Sequence, residues 1–250
     1  MDVVEGVDGL GPGQGPLFVV VGVFDGLHLG HAYLLQHLVS EAESRGARPA
    51  VITFDHHPDE VIVGNAPPLL LDPMERLERL DAAGVEVTVV QHFDAALRAT
   101  PYDVFVERIR SRVGLTGFLL TPDAAFGYER RGTPTALASL GVRDGFEVVV
   151  VQPFTIDGQE VRSSTIRAAI AAGDLGTAAR LLGRPVTISG TVGDPSDGGS
   201  RIAFELPMAL PPDGDYAADV DGVPVTLRLA DGDASLVGPV VTGRVTVVLD

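Results

Sequence analysis

Ten consecutive residues constrain this chain more than any other stretch: Gly22-Val23-Phe24-Asp25-Gly26-Leu27-His28-Leu29-Gly30-His31. Ahead of them, Leu17 to Val23 is a continuous apolar run rich in β-branched residues, short enough for a buried strand rather than a helix. Behind them, Ala32 to Arg45 carries Leu34, Leu35, Leu38, Val39 and Ala42 at helical spacing and meets Gly46, a residue type that closes helices. Two histidines therefore stand where a buried strand hands over to a helix. Gly30 lets a ligand approach the backbone, and the N–H groups of a helix's first turn attract anions. Imidazoles there can donate to phosphate oxygens, so the string predicts a phosphate site. The plainer alternative is a turn whose glycines serve geometry alone and whose histidines face solvent.

Composition narrows the chemistry. At 250 residues and 45% hydrophobic content the chain can hold one large domain or two small ones with ample core. No apolar run approaches a membrane span and no charged-then-apolar leader opens the chain, so the cytoplasm is the expected compartment and no membrane partner is expected. With no cysteine there is neither a disulfide framework nor thiolate chemistry. The net charge is −16 and all 18 basic residues are arginine, which argues against a nucleic-acid partner and removes Schiff-base and P-loop lysine chemistry. An anion clamp here must use Arg, His, hydroxyls or backbone N–H.

Residues 1–16 are Gly-rich and acidic and read as a loose lead-in. Buried strands are then predicted at 17–23, 48–54, 85–91, 117–121 and 146–152. Helices are predicted between them: one starts at Asp72-Pro73, one runs from Thr100-Pro101 to Gly114, and one starts at Thr133-Pro134. Such alternation predicts an α/β fold, a doubly wound and mostly parallel sheet, with ligands outside the strands' carboxyl ends. Asp157-Gly158 marks a tight turn, and two short helices follow at 163–172 and 174–182, closed by Gly183. From Arg184 onward, short alternating runs (186–189, 223–229, 240–249) and turn signals at Asp197-Gly198-Gly199 and Asp213-Gly214 predict a small antiparallel β module. The expected domains are 1–183 and 184–250.

A second anion-binding candidate is Arg162-Ser163-Ser164-Thr165-Ile166-Arg167. Its hydroxyls precede a helical run as N-cap residues do, and Arg167 adds a planar, permanently charged fork. Two further polar segments follow predicted strands: Thr53-Phe54-Asp55-His56-His57-Pro58, and Pro122 to Thr133 with Asp123, Phe126 and Gly127.

Together these stretches resemble the prokaryotic FAD synthetases (FMN adenylyltransferases) of the nucleotidylyltransferase superfamily. The histidine string matches their F-D-G-x-H-x-G-H. Val161 to Arg167 is similar to I-S-S-T-x-I-R, with Arg162 in place of the first serine. His57 and Pro58 match T-F-x-x-H-P. Asp123, Phe126 and Gly127 match D-F-x-F-G, with Ala124 replacing the first aromatic and Thr121-Pro122 standing where a glycine is usual. The resemblance runs over about residues 17–185, through Leu182-Gly183-Arg184-Pro185, and fails beyond it. Where the family's riboflavin kinase carries G-x-P-T-A-N, this chain reads Ala203 to Leu210 without the threonine or asparagine, and 184–250 is short for that kinase's barrel.

The resemblance implies transfer of AMP from ATP to FMN, giving FAD and pyrophosphate, with Mg2+ as cofactor and no covalent intermediate. It makes His28, His31 and Arg167 catalytic. Gly22, Phe24, Asp25, Gly30, Ser163 and Ser164 fall to ATP, and His57, Pro58, Asp123, Phe126 and Gly127 to the flavin; metal ligands are not identified. The missing kinase signature implies a degenerate module without kinase activity that stabilises, dimerises or covers the other half. Two other readings stay open: transfer to another small phosphate acceptor, such as NMN, phosphopantetheine or glycerol phosphate, or a non-catalytic flavin- or nucleotide-binding descendant.

Overall fold

A strand buried on both faces needs partners on both edges, and Leu17–Val21 (β2) has them. In the computed structural model, which describes residues 1–193, 200–239 and 242–249, the chain divides into two units. The first comprises residues 1–24, 30–67 and 77–155. Its sheet adds Asp2–Glu5 (β1), Arg48–Phe54 (β3), Val87–Gln91 (β4), Leu115–Leu120 (β5) and Glu147–Val150 (β6) to β2. The order is β1-β4-β3-β2-β5-β6, with every pairing parallel. From β2 the chain steps outward to β3 and β4 and then crosses back to β5 on the other side of β2, so the topological switch of this α/β sheet lies at the carboxyl ends of β2 and β5.

The helices of this part are Leu29–Ser44 (α1), Asp59–Ile62 (α2), Pro73–Ala82 (α3), Ala95–Arg98 (α4), Tyr102–Arg110 (α5) and Pro134–Asp144 (α6). Period-2 alternation sends Leu17, Val19, Ala50, Ile52, Val87 and Val89 into one core with Phe105, Val106 and Ile109 of α5 and Leu137 of α6. Phe18, Val20 and Val51 point the other way and are equally buried, with the Arg45 guanidinium 4.8 Å above the Phe18 ring. Each such apolar side chain contributes about 1.5–3 kcal/mol on burial, so covering both faces is what holds the all-parallel sheet.

The expected loose lead-in is wrong. Residues 2–5 form the edge strand β1 on β4, and Val4, Val7 and Leu10 are buried in the core. The Val7 N–H donates to Gln91 Oε1 over 2.9 Å. These apolar residues are scattered among glycines and acids, which hid their common face. Helix α5 also differs from expectation: it has no side-chain cap and ends at Arg110, and β5 already begins at Leu115. Asp72 and Thr133 cap as the sequence predicts, accepting from Glu75 and Ala136 N–H at 3.2 and 3.3 Å.

The second unit comprises 25–29, 68–76 and 156–250. A hairpin of Thr155–Ile156 (β7) and Gln159–Glu160 (β8) turns at Asp157 and Gly158, whose φ values of 52° and 78° are those of a type I′ turn. Ser163–Ala171 (α7) and Leu175–Leu182 (α8) follow. Thr187–Val192 (β9), Ser200–Ala203 (β10), Gly214–Val220 (β11), Val223–Ala230 (β12), Asp233–Val237 (β13) and Gly243–Leu249 (β14) close into an antiparallel barrel ordered β10-β13-β12-β11-β14-β9. Alternate residues fill it, among them Val225, Leu227, Leu229, Val245 and Val247. The module is therefore not too short for a barrel. The Asp197-Gly198-Gly199 turn signal and Val240 lie outside the described residues. Among the described residues no helix is long and apolar enough to cross a membrane.

Candidate active site

The histidine string folds as a strained turn. Phe24 and Leu27 take positive φ, at 54° and 38°, which a non-glycine residue sustains only where its backbone is strongly held, and Gly26 at 85° turns the chain without strain. A Cβ on Gly26 would fall 2.9 Å from Leu70 Cδ1. What holds the turn is Asp25, 3% exposed. Its Oδ1 accepts from the backbone N–H of Leu70 and Leu71 at 2.9 and 3.1 Å. Its Oδ2 accepts from Leu70 N–H at 3.1 Å and from Arg167 Nη2 at 2.6 Å. Three donors, with the Leu70 N–H shared between both oxygens, hold the carboxylate in place.

Two more residues grip the same turn. The Ser163 hydroxyl donates to the Asp25 carbonyl at 2.9 Å, and Arg184 Nη2 donates to the Gly26 carbonyl at 2.7 Å. Arg167 Nε donates to Pro68 O at 2.8 Å, so two of its five N–H donors are engaged. His28, 4% exposed, sits in this arrangement. Burial first, then the positive charges of Arg184 and Arg167, push its imidazole down to a pKa of about 4. It is neutral at physiological pH and can donate one hydrogen bond without carrying charge.

Helix α7 starts at Ser163 as expected, with the hydroxyls inside its first turn rather than ahead of it. Arg162 occupies the N-cap of α7 and makes no capping bond, and Ser163 is the first helical residue. The Ser163 hydroxyl is engaged by the Asp25 carbonyl rather than by a capping N–H. Arg162 pairs with Glu160 at 2.5 Å, and Ser164 is exposed. Asp25, His28, Ser163 and Arg167 are thus brought together in the second unit.

The remaining predicted residues belong to the first unit. Gly22 continues the sheet, donating to Ile52 O at 3.0 Å, and a Cβ there would meet the Phe24 ring at 3.0 Å. Phe24 is buried with its ring 5.1 Å from that of His31. Gly30 and His31 lie in the first turn of α1.

Beyond the carboxyl ends of the strands a cavity of about 470 Å³, a size that suits a small-molecule ligand, is lined by Val21, Phe54, Phe93, Phe105, Phe126, Gly127, Tyr128, Arg98 and Arg130 among others. Phe54 and Phe93 meet edge to face at 5.4 Å, as do Phe105 and Phe126 at 5.8 Å. Of the residues that the resemblance assigns to the flavin, Phe126 and Gly127 line it, and His57, Pro58 and Asp123 do not. His57 Nδ1 accepts from Asp59 N–H at 3.2 Å and Pro58 precedes α2, while Asp123 accepts from the Thr121 hydroxyl at 2.8 Å. Tyr128 and Arg130 fall in the 122–133 segment singled out in the sequence without a role assigned to them, while Phe93 and Arg98 were not singled out. The available signal for Phe93 was its place two residues past a buried strand.

A family model described as FAD synthetase matches residues 12–165. A bifunctional riboflavin kinase/FMN adenylyltransferase of Haemophilus influenzae is 34% identical over 188 residues, covering 74% of this chain and 61% of that protein. One of Escherichia coli K12 is 32% identical over 237 residues, covering 89% and 74%. The chain spans 61% and 62% of the length of the Haemophilus influenzae and Pseudomonas fluorescens relatives. A solved structure named a macrolide-efflux protein from Streptococcus pneumoniae shares the fold, with a TM-score of 0.79 and 19% identity over 99% of this chain and 88% of that one. With more than half its length matched by the family model, this chain belongs to the FAD synthetase family.

Proposed function

We propose that the chain is an FMN adenylyltransferase, joining AMP from ATP to the phosphate of FMN and releasing pyrophosphate. The observation that carries this reading is the Asp25 carboxylate, which holds the histidine turn and Arg167 of α7 in one buried hydrogen-bonded group. Family membership supports the choice of reaction.

The acceptor is already an anion, so no general base and no covalent intermediate is needed. An oxygen of the FMN phosphate attacks the α-phosphorus as its bond to the α,β-bridging oxygen breaks, and pyrophosphate leaves with that electron pair. Catalysis then consists of in-line placement and neutralisation of charge at the α-phosphate and leaving group. His28 and His31 donate around the α-phosphate. Arg167, the Ser164 hydroxyl and the backbone N–H of Ser163 at the start of α7 hold the β- and γ-phosphates, with Gly22, Phe24 and Gly30 shaping the turn for ATP. Mg2+ would enter as part of the MgATP substrate, held by phosphate oxygens of the ATP. The isoalloxazine takes the aromatic cavity, where Phe54, Phe93 and Phe126 offer stacking area; His57, Pro58 and Asp123 shape its approach.

Residues 184–250 act as a support module without kinase activity. Their Ala203–Leu210 segment lacks the kinase threonine and asparagine, and it bonds instead to the chain that holds Asp25: Leu69 N–H donates to Pro207 O and Ala209 N–H to Leu69 O, each at 2.8 Å. A panel of phosphate acceptors with pyrophosphate release as readout tests the assignment. FMN is expected to give the fastest release; faster release with NMN, phosphopantetheine or glycerol phosphate replaces it with another transferase, and tight FMN binding without release makes the chain a binding protein.

A further inference from the structure

Strands β3 and β4 are neighbours and end level with each other, Phe54 opposite Gln91. The residues that leave them are Asp55 and His56 on one side and His92 on the other. The Asp55 N–H donates to Gln91 O at 3.2 Å, which ties the two departing segments together. Asp55 Oδ1 accepts from the backbone N–H of His56 at 2.8 Å and of Phe93 at 3.2 Å. That leaves Oδ2 directed at both imidazoles, 2.5 Å from His92 Nδ1 and 3.4 Å from His56 Nδ1. One donor atom from each of the three residues lies within 4.8 Å of the other two.

We propose that Asp55, His56 and His92 bind a first-row divalent transition ion of the zinc type. Two imidazole nitrogens and one carboxylate oxygen form a donor set that such ions prefer, whereas Mg2+ and Ca2+ take oxygen ligands. Tetrahedral Zn2+ with bonds of ~2.0–2.1 Å places its donors roughly 3.4 Å apart. The His56–Asp55 spacing already has that value, and His92 has only to withdraw by about 1 Å, which a side chain 66% exposed does freely. The two backbone N–H groups on Oδ1 supply the outer hydrogen bonding that orients a ligating carboxylate. A fourth position stays open to water or to an oxygen of a bound molecule. Phe54 and Phe93, which flank the three ligands in sequence, line the aromatic cavity, so the ion lies at its rim. The two imidazoles also meet edge to face, with ring centroids 6.4 Å apart, so both rings are held beside the Asp55 carboxylate.

Calorimetry of the full chain with ZnCl2 in excess Mg2+, paired with the visible spectrum of the Co2+ form, tests this site independently of the transfer reaction. The expected result is one site. His56→Ala and His92→Ala should each weaken Zn2+ by roughly tenfold or more and change the Co2+ bands. His37→Ala, a change on α1 away from these ligands in sequence, should leave both unaltered. All three alterations are at side chains not fully buried, and circular dichroism checks folding. Zn2+ affinity unchanged in both His56→Ala and His92→Ala, or no Zn2+ binding by the unaltered chain, overturns the proposal. Asp55→Asn, which keeps the Oδ1 contacts possible, gives a second test: it should also lower the affinity, and an unchanged value again counts against the site.

Discussion

The Arg167 guanidinium donates to the Asp25 carboxylate at 2.6 Å across 142 residues of sequence, with the two side chains only 16% and 3% exposed. A charge-assisted bond out of water is strong only while both partners are present. Asp25→Ala leaves Arg167 and the N–H groups of Leu70 and Leu71 without their acceptor. It is expected to destabilise the fold by about 3–5 kcal/mol, read by urea denaturation. A loss no larger than that of removing an exposed helix carboxylate, as in Glu43→Ala, would show that the pair does not organise the turn.

His28 gives stability a dependence on pH. Its folded-state pKa of about 4 lies below the ordinary 6.5 because of burial, then Arg184, then Arg167. Between those values the unfolded chain takes up a proton that the folded chain refuses. The contribution is therefore complete above pH 6.5 and is lost as pH falls toward 4, by on the order of 3 kcal/mol. Denaturation midpoints measured from pH 7 to 4 should fall more steeply for the unaltered chain than for His28→Asn. Arg184→Met should move the His28 NMR titration upward; a downward or absent movement contradicts the electrostatic part of this assignment.

Gly127 has φ of 76°, and a Cβ on it would lie 2.5 Å from the backbone N of Tyr102. Gly127→Ala forces apart a wall of the aromatic cavity, in addition to about 1–2 kcal/mol for a left-handed alanine. FMN affinity, measured by quenching of flavin fluorescence, should fall while ATP affinity changes little. Equal losses for both ligands would place the flavin elsewhere.

The alternation of strands and helices was legible because parallel strands buried on both faces read as unbroken apolar runs, as at Ala50 to Phe54. The histidine turn was legible because its glycines and imidazoles are close in sequence. The partners that hold it were not, since Leu70 and Arg184 lie 45 and 158 residues from their acceptors. β1 escaped because Val4, Val7 and Leu10 share a face only after the chain turns at Gly6. In the barrel, β11 and β13 have outward faces of Asp, Ala and Ser that obscure the alternation. The Asp221-Gly222 and Asp231-Gly232 pairs, both with positive φ, were the usable hairpin signal. The aromatic cavity combines residues from separate loops, which no single motif spans.

The histidines should act on the transition state. His28→Ala and His31→Ala are each expected to lower kcat by ~10²–10³ with smaller changes in KM for ATP. Steady-state kinetics with FMN saturating separates the two; near-normal kcat in both variants removes them from the chemistry.

Incubation of the purified chain with FMN, ATP and Mg2+, followed by chromatographic separation of the flavins, tests the central claim most directly. The account predicts FAD and pyrophosphate in equal amounts, with formation suppressed in Arg167→Ala. FMN recovered unchanged from a folded protein that binds both FMN and ATP would contradict it.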